Sequence, residues 1–440
     1  MLADFLTYIR EQSLFQKNEY VLLAVSSGID SVVLAHLFHE SGFNFGMAHV
    51  NFSLRNEDSD GDQSFAEDLA KHYNVPFHTT VFDTNHHAAE NKVSTQMAAR
   101  ELRYKWFEEL RNKHDYKYIA TAHHLTDSIE TVLFNFGKGT GISGMRGIQP
   151  NNGHLIRPLL FASKKEIVEY ADTHQLEWRE DKSNASDKYH RNHIRHNILP
   201  QLEHINPSFE NTAKSTLERL RDAEEIVMAT VNLAKEQLYH SDGENHFFDK
   251  NKIAALSGKT TILHFLIKSF GFNYTQCKGI ISILEESGKL FLSKTHQANI
   301  DRQHLIISPL NQKKDAAFII NSSDTHLATD DITLEITQSD VPQEIPTDPK
   351  IGCFDLAKIS FPLTVRTWQR GDRFYPLGMT QLKKVSDLLI DSKVPLHLKD
   401  HVNVLISNNQ IIWVMGHRID NRFKITKTTN RTLQISMQRL

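Results

Sequence analysis

The sequence predicts an α/β chain: a doubly wound parallel sheet in the N-terminal half, a mostly helical middle domain and a small α+β domain at the C-terminus. Three observations carry that expectation. Short β-rich apolar runs alternate with helical spacing through the first half; Phe209 to Leu238 is rich in helix formers with few breakers; and strands return beyond about residue 350 around one short helix. A chain of 440 residues has room for roughly three domains. They are set at 1–205, 206–345 and 346–440.

The elements follow in order. Glu19 to Val25 reads as a strand, and Asp30 to Glu40 as a helix with Val33, Leu34 and Leu37 on one face. Asn44 to Val50 is a second strand. Gln63 to His72 is a helix with a stripe of Phe65, Ala66, Leu69 and Ala70, and Val75 to Val81 is a third strand. Val93 to Leu110 is a long helix, Tyr116 to Ala122 a fourth strand, and Ser128 to Phe136 opens the next helix. Repeated β-then-α units imply a parallel sheet covered on both faces, with ligands at the carboxyl ends of its strands. The loops after Val25 and after Ala122 are therefore where chemistry is expected. Asn184 to Glu203 turns from polar to helical and closes near Pro200 and Pro207. Further on, helices (Thr260 to Phe270, Cys277 to Glu286) mix with short strands (Lys289 to Ser293, His304 to Ser308). Val341 to Pro349 is a boundary. Strands Leu363 to Trp368 and Gln410 to Met415 then flank a helix at Val385 to Asp391.

Composition narrows the class. Hydrophobic residues at 40% and charged residues at 23% exclude a disordered, collagen-like or coiled-coil chain. Apolar runs of about five residues fall far short of the roughly 18 that a membrane helix needs. Met1-Leu-Ala-Asp-Phe carries an early acid and no basic-then-apolar pattern, so no secretory signal is expected. Two cysteines, Cys277 and Cys353, make neither a disulfide framework nor a thiolate cage, which suits a cytoplasmic protein. The net charge of −3 hides an asymmetry: residues 361–440 hold 13 Lys and Arg against 5 Asp and Glu, a net +8, leaving −11 on the rest. A basic end on an acidic body points to a polyanionic partner.

The loop after the first strand reads Ser26-Ser27-Gly28-Ile29-Asp30-Ser31. It offers backbone N–H groups, hydroxyls and a helix N-terminus to a phosphate. It lacks the Gly-Lys-Ser/Thr of a Walker A loop and the three glycines of a dinucleotide fingerprint. The loop is similar to the Ser-Gly-Gly-x-Asp-Ser loop of the PP-loop, or N-type, ATP pyrophosphatases, with Ser27 where glycine is usual. Serine costs φ freedom there, so a tighter loop is expected. Further motifs occur in order: His49-Val-Asn-Phe-Ser-Leu-Arg55, Ala99-Arg-Glu-Leu-Arg-Tyr104, Ala120-Thr-Ala-His-His-Leu-Thr-Asp-Ser-Ile-Glu-Thr131, Phe136-Gly-Lys-Gly-Thr-Gly-Ile-Ser-Gly144, Arg157-Pro-Leu-Leu160, Asp181-Lys-Ser-Asn184 and Tyr189-His-Arg-Asn-His-Ile-Arg195. With Thr367-Trp-Gln-Arg-Gly-Asp-Arg-Phe374, Leu377-Gly, Lys383-Lys384 and Ile412 to Gly416, they resemble the tRNA(Ile)-lysidine synthetase family over residues 19–205 and 361–430.

That resemblance implies ATP-dependent ligation of free L-lysine to C2 of the wobble cytidine (position 34) of isoleucine tRNA bearing a CAU anticodon. The reaction passes through an adenylated tRNA, and the product, lysidine, changes decoding from AUG to AUA. It also suggests a homodimer. Ser26, Ser27, Gly28, Ile29, Asp30 and Ser31 would hold ATP, with Asp30 the nearest ligand for Mg²⁺. Asp127 and Glu130, three apart at a helix start, would divide two tasks, one fixing the substrate ammonium and the other acting as base, with the assignment open. His124, slightly preferred to His123, would contact phosphate or the base. Arg191 and Arg195, four apart, would neutralise the intermediate or grip tRNA phosphate. Arg100 and Arg103, on another helix, would bind substrate phosphate, or one of the two would while the other serves as a structural ion-pair partner. Arg370, Arg373, Lys383 and Lys384 would hold tRNA backbone phosphates, in the acceptor stem, without reading the anticodon. The Gly137–Gly144 loop is expected to close over the site. The alternatives are another PP-loop tRNA-modifying enzyme or an inactive tRNA-binding homologue. A thiolating enzyme is disfavoured because no Cys-x-x-Cys occurs.

Overall fold

Residues of the first strand serve two cores at once, which is the mark of a sheet covered on both faces. The computed structural model describes residues 1–53, 57–179, 190–310, 317–329, 332–342, 344–394, 396–399 and 401–439, side chains excepted at 57–58, 190–191, 396–397 and 439. It forms two compact units, residues 1–228 and 229–440.

In the first unit the strands are β1 (Val21–Ala24), β2 (Phe45–Asn51), β3 (Phe77–Val81), β4 (Tyr118–Ala120), β5 (Asn151–Asn152) and β6 (Leu155–Ile156). Their order is β3-β2-β1-β4-β6-β5, all parallel except the edge strand β5. The order reverses between β1 and β4, so the crevice at their carboxyl ends is the topological switch point. The helices are α1 (Leu2–Glu11), α2 (Ile29–Glu40), α3 (Glu57–Tyr73), α4 (Thr84–Asn91), α5 (Thr95–Lys113), α6 (Leu125–Lys138), α7 (Ile142–Met145), α8 (Lys164–Thr173), α9 (His190–His193), α10 (Leu199–Ile205) and α11 (Phe209–Leu238). Val21, Leu23 and Val25 pack with Phe5 of α1, Val33 and Leu37 of α2 and Ile167 of α8. Leu22 faces the other way, onto Phe107 and Leu110 of α5. α2 is buried nearly all round, from Ser31 to Phe38, wider than the predicted stripe, because it lies between the sheet and α1.

The second unit is built from antiparallel sheets. β7 (Tyr239–Asp242), β8 (Asn245–Asp249), β9 (Lys289–Leu292), β10 (His296–Ile300) and β11 (His304–Pro309) make one in the order β7-β8-β11-β10-β9, with helices α12 (Lys250–Ala255), α13 (Lys259–Ile267) and α14 (Tyr274–Ser282) between β8 and β9. The middle of the chain is thus helical with a sheet. Its polar strand β7, Tyr-His-Ser-Asp, carries no apolar alternation to predict it.

β12 (Phe318–Ile320), β16 (Leu363–Thr367), β19 (Asn403–Ser407), β20 (Gln410–Val414) and β21 (Arg418–Ile419) form the next sheet. β13 (His326–Ala328), β14 (Ile332–Asp340), β15 (Ile351–Asp355) and β22 (Arg431–Arg439) form another. β17 (Arg373–Phe374) and β18 (Lys383–Lys384) make a ribbon, and α15 (Val385–Asp391) and α16 (Leu396–Lys399) complete the unit. Both sheets close around Trp413, Phe354, Leu433 and Ile435. β12 pairs with β16 and β14 with β22, so strands from 318–340 join the C-terminal sheets ahead of the predicted boundary at 345. Ile332, Leu334 and Ile336 alternate inward, which is the pattern that recruits them. No described helix is long and apolar enough to cross a membrane.

Candidate active site

The chain must turn back between Ala24 and Ile29 at the carboxyl edge of the sheet. Ser27 makes the turn with φ +65°, in the left-handed region where a Cβ costs roughly 1–2 kcal/mol. It is fully buried; its Oγ donates to the Asp62 carbonyl at 2.6 Å, and its own carbonyl accepts from the Arg179 N–H at 3.0 Å. Ser31 Oγ closes the loop, donating to the Gly28 carbonyl at 2.9 Å and accepting from the Ser26 N–H at 3.2 Å. Gly28 caps α2 in extended conformation, and the N–H groups of Ile29 and Asp30 have no helical acceptor. Loop and helix terminus together form an anion cradle.

This geometry orders three variants of Ser27. Ser27→Gly removes the strain but loses one hydrogen bond of about 0.5–1.5 kcal/mol, so its stability stays within about 1 kcal/mol of wild type. Ser27→Ala keeps the strain and loses the bond, and is the less stable of the two in urea titration. Equal midpoints for the two variants refute the argument.

α6 starts three residues ahead of the predicted Ser128, at Leu125, because Asp127 Oδ2 accepts the His124 N–H at 3.1 Å and caps the helix. That sets Asp127 in the first turn, with Glu130 three residues along. A chain of polar and charged side chains then crosses the crevice. Lys164 Nζ lies 2.5 Å from Asp30 Oδ1. His124 Nε2 stands 3.9 Å from Asp30 Oδ2 and 3.5 Å from Asp127 Oδ2. Arg195 closes the far end, with Nη2 3.3 Å from Asp127 Oδ1 and Nε 2.6 Å from Glu130 Oε1. Arg195 sits in a π-helical turn, Ile194–Ile198. Pro200 removes the N–H that the His196 carbonyl would accept and crowds that carbonyl, and the preceding turn is widened.

The two acids are driven apart. Burial tends to raise Asp127, but His124, His123 and Arg195 overcome it and hold its carboxyl below the usual range. Burial raises Glu130 despite its bond to Arg195. The Asp127 side chain is 23% exposed and that of Glu130 3%. Asp127 thus reaches the crevice as an ionised carboxylate, while Glu130 meets Arg195 from below.

His123 faces a second group. Its Nδ1 bonds Thr121 Oγ1 at 2.8 Å, and burial, with Arg157, Arg103 and Arg100 nearby, pushes its pKa down to about 4 against the pull of Asp127. Arg100 and Arg103 lie 4.8 and 5.3 Å from the Tyr104 ring. Among the described residues none of these three arginines meets a carboxylate, so they form a cationic wall. Because the folded His123 pKa lies below the unfolded 6.5, its contribution is complete above pH 6.5 and is lost as pH falls from 6.5 towards 4. The melting temperature is expected to drop across that window, and His123→Gln to flatten the drop in a thermal-shift series.

The Gly137–Gly144 loop is fastened rather than loose. Glu224 of α11 is buried; it accepts from Ser143 Oγ at 2.5 Å and pairs with Arg146. Arg221 donates to the carbonyls of Arg146 and Ile148. Gly147, at φ +74°, leaves room for Ser128 Oγ, which accepts the Ile148 N–H at 2.9 Å. Glu210 of α11 accepts from Thr126 Oγ1 at 2.9 Å beside Asp127.

The structure therefore brings Asp30, His124, Asp127, Glu130 and Arg195 together around the Ser26–Ser31 loop, with Arg100 and Arg103 on the wall. The Arg191 side chain, Arg55 and the Asp181–Asn184 motif lie outside the described residues. Arg370, Arg373, Lys383 and Lys384 belong to the second unit. There Lys383 pairs with Asp391 at 2.5 Å. Lys164, Arg157 and Glu224 were missed as site residues. Arg157 lay within a quoted motif, but nothing local marks Lys164 or Glu224, whose partners are 134 and about 80 residues away. Among the described residues no three His, Cys, Asp or Glu are grouped to hold a metal.

Comparison with known proteins adds three family matches: a PP-loop domain over residues 3–202, a TilS substrate binding domain over 241–310 and a TilS substrate C-terminal domain over 363–436. The PP-loop domain implies ATP use. A tRNA(Ile)-lysidine synthase from Parabacteroides distasonis is 40% identical, covering 99% of both chains. One from Bacteroides thetaiotaomicron is 36% identical over 97% of both. One from Porphyromonas gingivalis is 34% identical, over 96% of this chain and 95% of its own.

Proposed function

The chain belongs to the tRNA(Ile)-lysidine synthase family, and on that premise we propose that it ligates free L-lysine to C2 of cytidine 34 in isoleucine tRNA with a CAU anticodon, through an adenylated tRNA. The observation that carries this reading is the unbroken run of polar side chains from Asp30 in the phosphate loop, through the His124 imidazole and Asp127, to Arg195 and Glu130.

ATP lies with its phosphates on the Ser26–Ser31 loop. The C2 oxygen of the cytidine attacks the α-phosphate and pyrophosphate leaves. Asp30 is a single carboxylate, which suits Mg²⁺ held by one protein ligand together with substrate phosphates. Bound there, Mg²⁺ supplies charge neutralisation for the leaving pyrophosphate. The lysine ε-amine then attacks C2, expelling AMP. Asp127, partly buried and ionised, holds the incoming amine and takes up its proton. Glu130, buried, fixes Arg195, whose guanidinium steadies the negative charge on the α-phosphate as pyrophosphate leaves and again as AMP departs. Arg100 and Arg103, backed by the buried Arg157, receive the anticodon-loop backbone, and an unpaired loop lets the cytidine leave its stack cheaply. Arg370, Arg373 and Lys384 add phosphate contacts from the basic C-terminal region.

The test uses purified protein, ATP, Mg²⁺ and radiolabelled lysine with unmodified isoleucine tRNA (CAU) and methionine tRNA (CAU). Label is expected in the isoleucine tRNA alone. AMP release that depends on tRNA but transfers no lysine would require a different nucleophile, and tRNA binding with neither would point to an inactive homologue.

A further inference from the structure

Ser27, Asp62 and Arg179 close a ring behind the phosphate loop. Ser27 Oγ donates to the Asp62 carbonyl at 2.6 Å. Arg179 Nε lies 2.7 Å from Asp62 Oδ1, and the Arg179 N–H donates to the Ser27 carbonyl at 3.0 Å. Each member holds the other two, across 35 residues of sequence from Ser27 to Asp62 and 117 from Asp62 to Arg179.

The surroundings are shaped for this ring. Gly61, in α3, lies against the guanidinium: a Cβ there would come within 2.7 Å of Arg179 Nη2 and 3.0 Å of its Cζ. A glycine inside a helix weakens it, and here the space it leaves is taken by the ion pair. Asn51, at the end of β2, donates from Nδ2 to Asp60 Oδ1 at 3.0 Å and ties that turn of α3 to the sheet. On the strand side, His49 Nδ1 donates to the Val25 carbonyl at 2.9 Å. Both supports of the loop are thus anchored, and Ser27 stands between them in the left-handed region at φ +65°.

Serine by itself prefers negative φ. Relaxation there would re-aim the N–H groups on either side of Ser27 and open the anion cradle. We propose that Asp62 and Arg179 are positioning residues for ATP: acting through Ser27, their ion pair holds the phosphate loop in its strained turn, so that the cradle is formed before the nucleotide arrives. A site that is formed only part of the time loses affinity in proportion to the fraction formed. In a Ser27→Gly chain positive φ carries no strain, and the cradle stands without the pair. This inference deepens the ATP-dependent reading above and rests on it.

The experiment measures Kd for ATP with Mg²⁺, in the absence of tRNA and lysine, by isothermal titration. Asp62→Asn removes the charge that holds the guanidinium and leaves the main-chain carbonyl for Ser27. Gly61→Ala strengthens the helix but pushes the guanidinium away from Asp62. Each change is made in the wild-type chain and in Ser27→Gly. In the wild-type chain both are expected to weaken ATP about fivefold, the upper end for a partly exposed ion pair. In the Ser27→Gly chain the same changes are expected to weaken it less than about twofold. Equal losses in the two backgrounds overturn the proposal, and so does a wild-type background in which neither change weakens ATP. A wild-type protein that binds no ATP overturns the ATP reading and the clamp together. The expected ratios in a protein that transfers no lysine uphold the clamp and overturn the lysine reading alone.

Discussion

Asp127→Asn is expected to lower lysine transfer by about 10³-fold, as loss of a positioned proton acceptor does. Asparagine is isosteric and retains an oxygen for the His124 N–H, so α6 keeps its cap. What disappears is the negative charge between His124 and Arg195. The incoming amine then has no carboxylate to neutralise its proton. The formation of the adenylated tRNA, followed by pyrophosphate release, should fall far less, because the Ser26–Ser31 loop and Asp30 are untouched. Equal losses in pyrophosphate release and lysine transfer would place Asp127 in the first step instead. Glu130→Gln supplies the contrast. Its side chain is shut away beneath Arg195, so it should act through Arg195 and disturb both steps together.

Glu224→Ala should destabilise the first unit by about 3 kcal/mol. Removing one partner of a buried pair costs roughly 3–5 kcal/mol, and Arg146 is one-third exposed, which puts the loss at the lower end. The Arg146 Nε is already buried without a partner, so the change leaves a cation with still fewer acceptors. Ser143 loses its acceptor too, and the glycine-rich loop is freed from α11. Urea denaturation reads the stability, and proteolysis within 137–147 reads the loop. Glu224→Gln, which can still accept from Ser143, should recover part of the loss. A stable Glu224→Ala protein with a protected loop would mean that other contacts hold the loop.

What could be read from the sequence follows the range of the interactions. β1 and α2 were visible because a buried parallel strand is a continuous apolar run and the loop after it carries small residues at fixed offsets. α11 was predicted at its observed bounds, Phe209 to Leu238, since thirty residues of helix formers leave no other reading. The start of α6 was placed three residues late, since its cap is a side chain reaching backwards from Asp127. β7 and β8 were not foreseen: their strand character comes from pairing with each other and with β11, not from their own residues. The acid pair was found locally, from its helical spacing. Its division into a partly buried, ionised Asp127 and a fully buried Glu130 was not, because it depends on Arg195, 65 residues beyond Glu130.

That separation also bears on how the protein is made. A ribosome adds about 5–20 residues per second, so Glu130 emerges from the exit tunnel roughly 3–13 seconds before Arg195, 65 residues later, does. Until then the nascent crevice holds two acids without their guanidinium, and Glu130 cannot be buried cheaply as an ion. The N-terminal strands can pair early, but closure of the crevice has to wait for the turn before Pro200. A fragment ending at β6 would carry the phosphate loop and still lack a settled acid pair. The shortest folded catalytic unit therefore extends past α10.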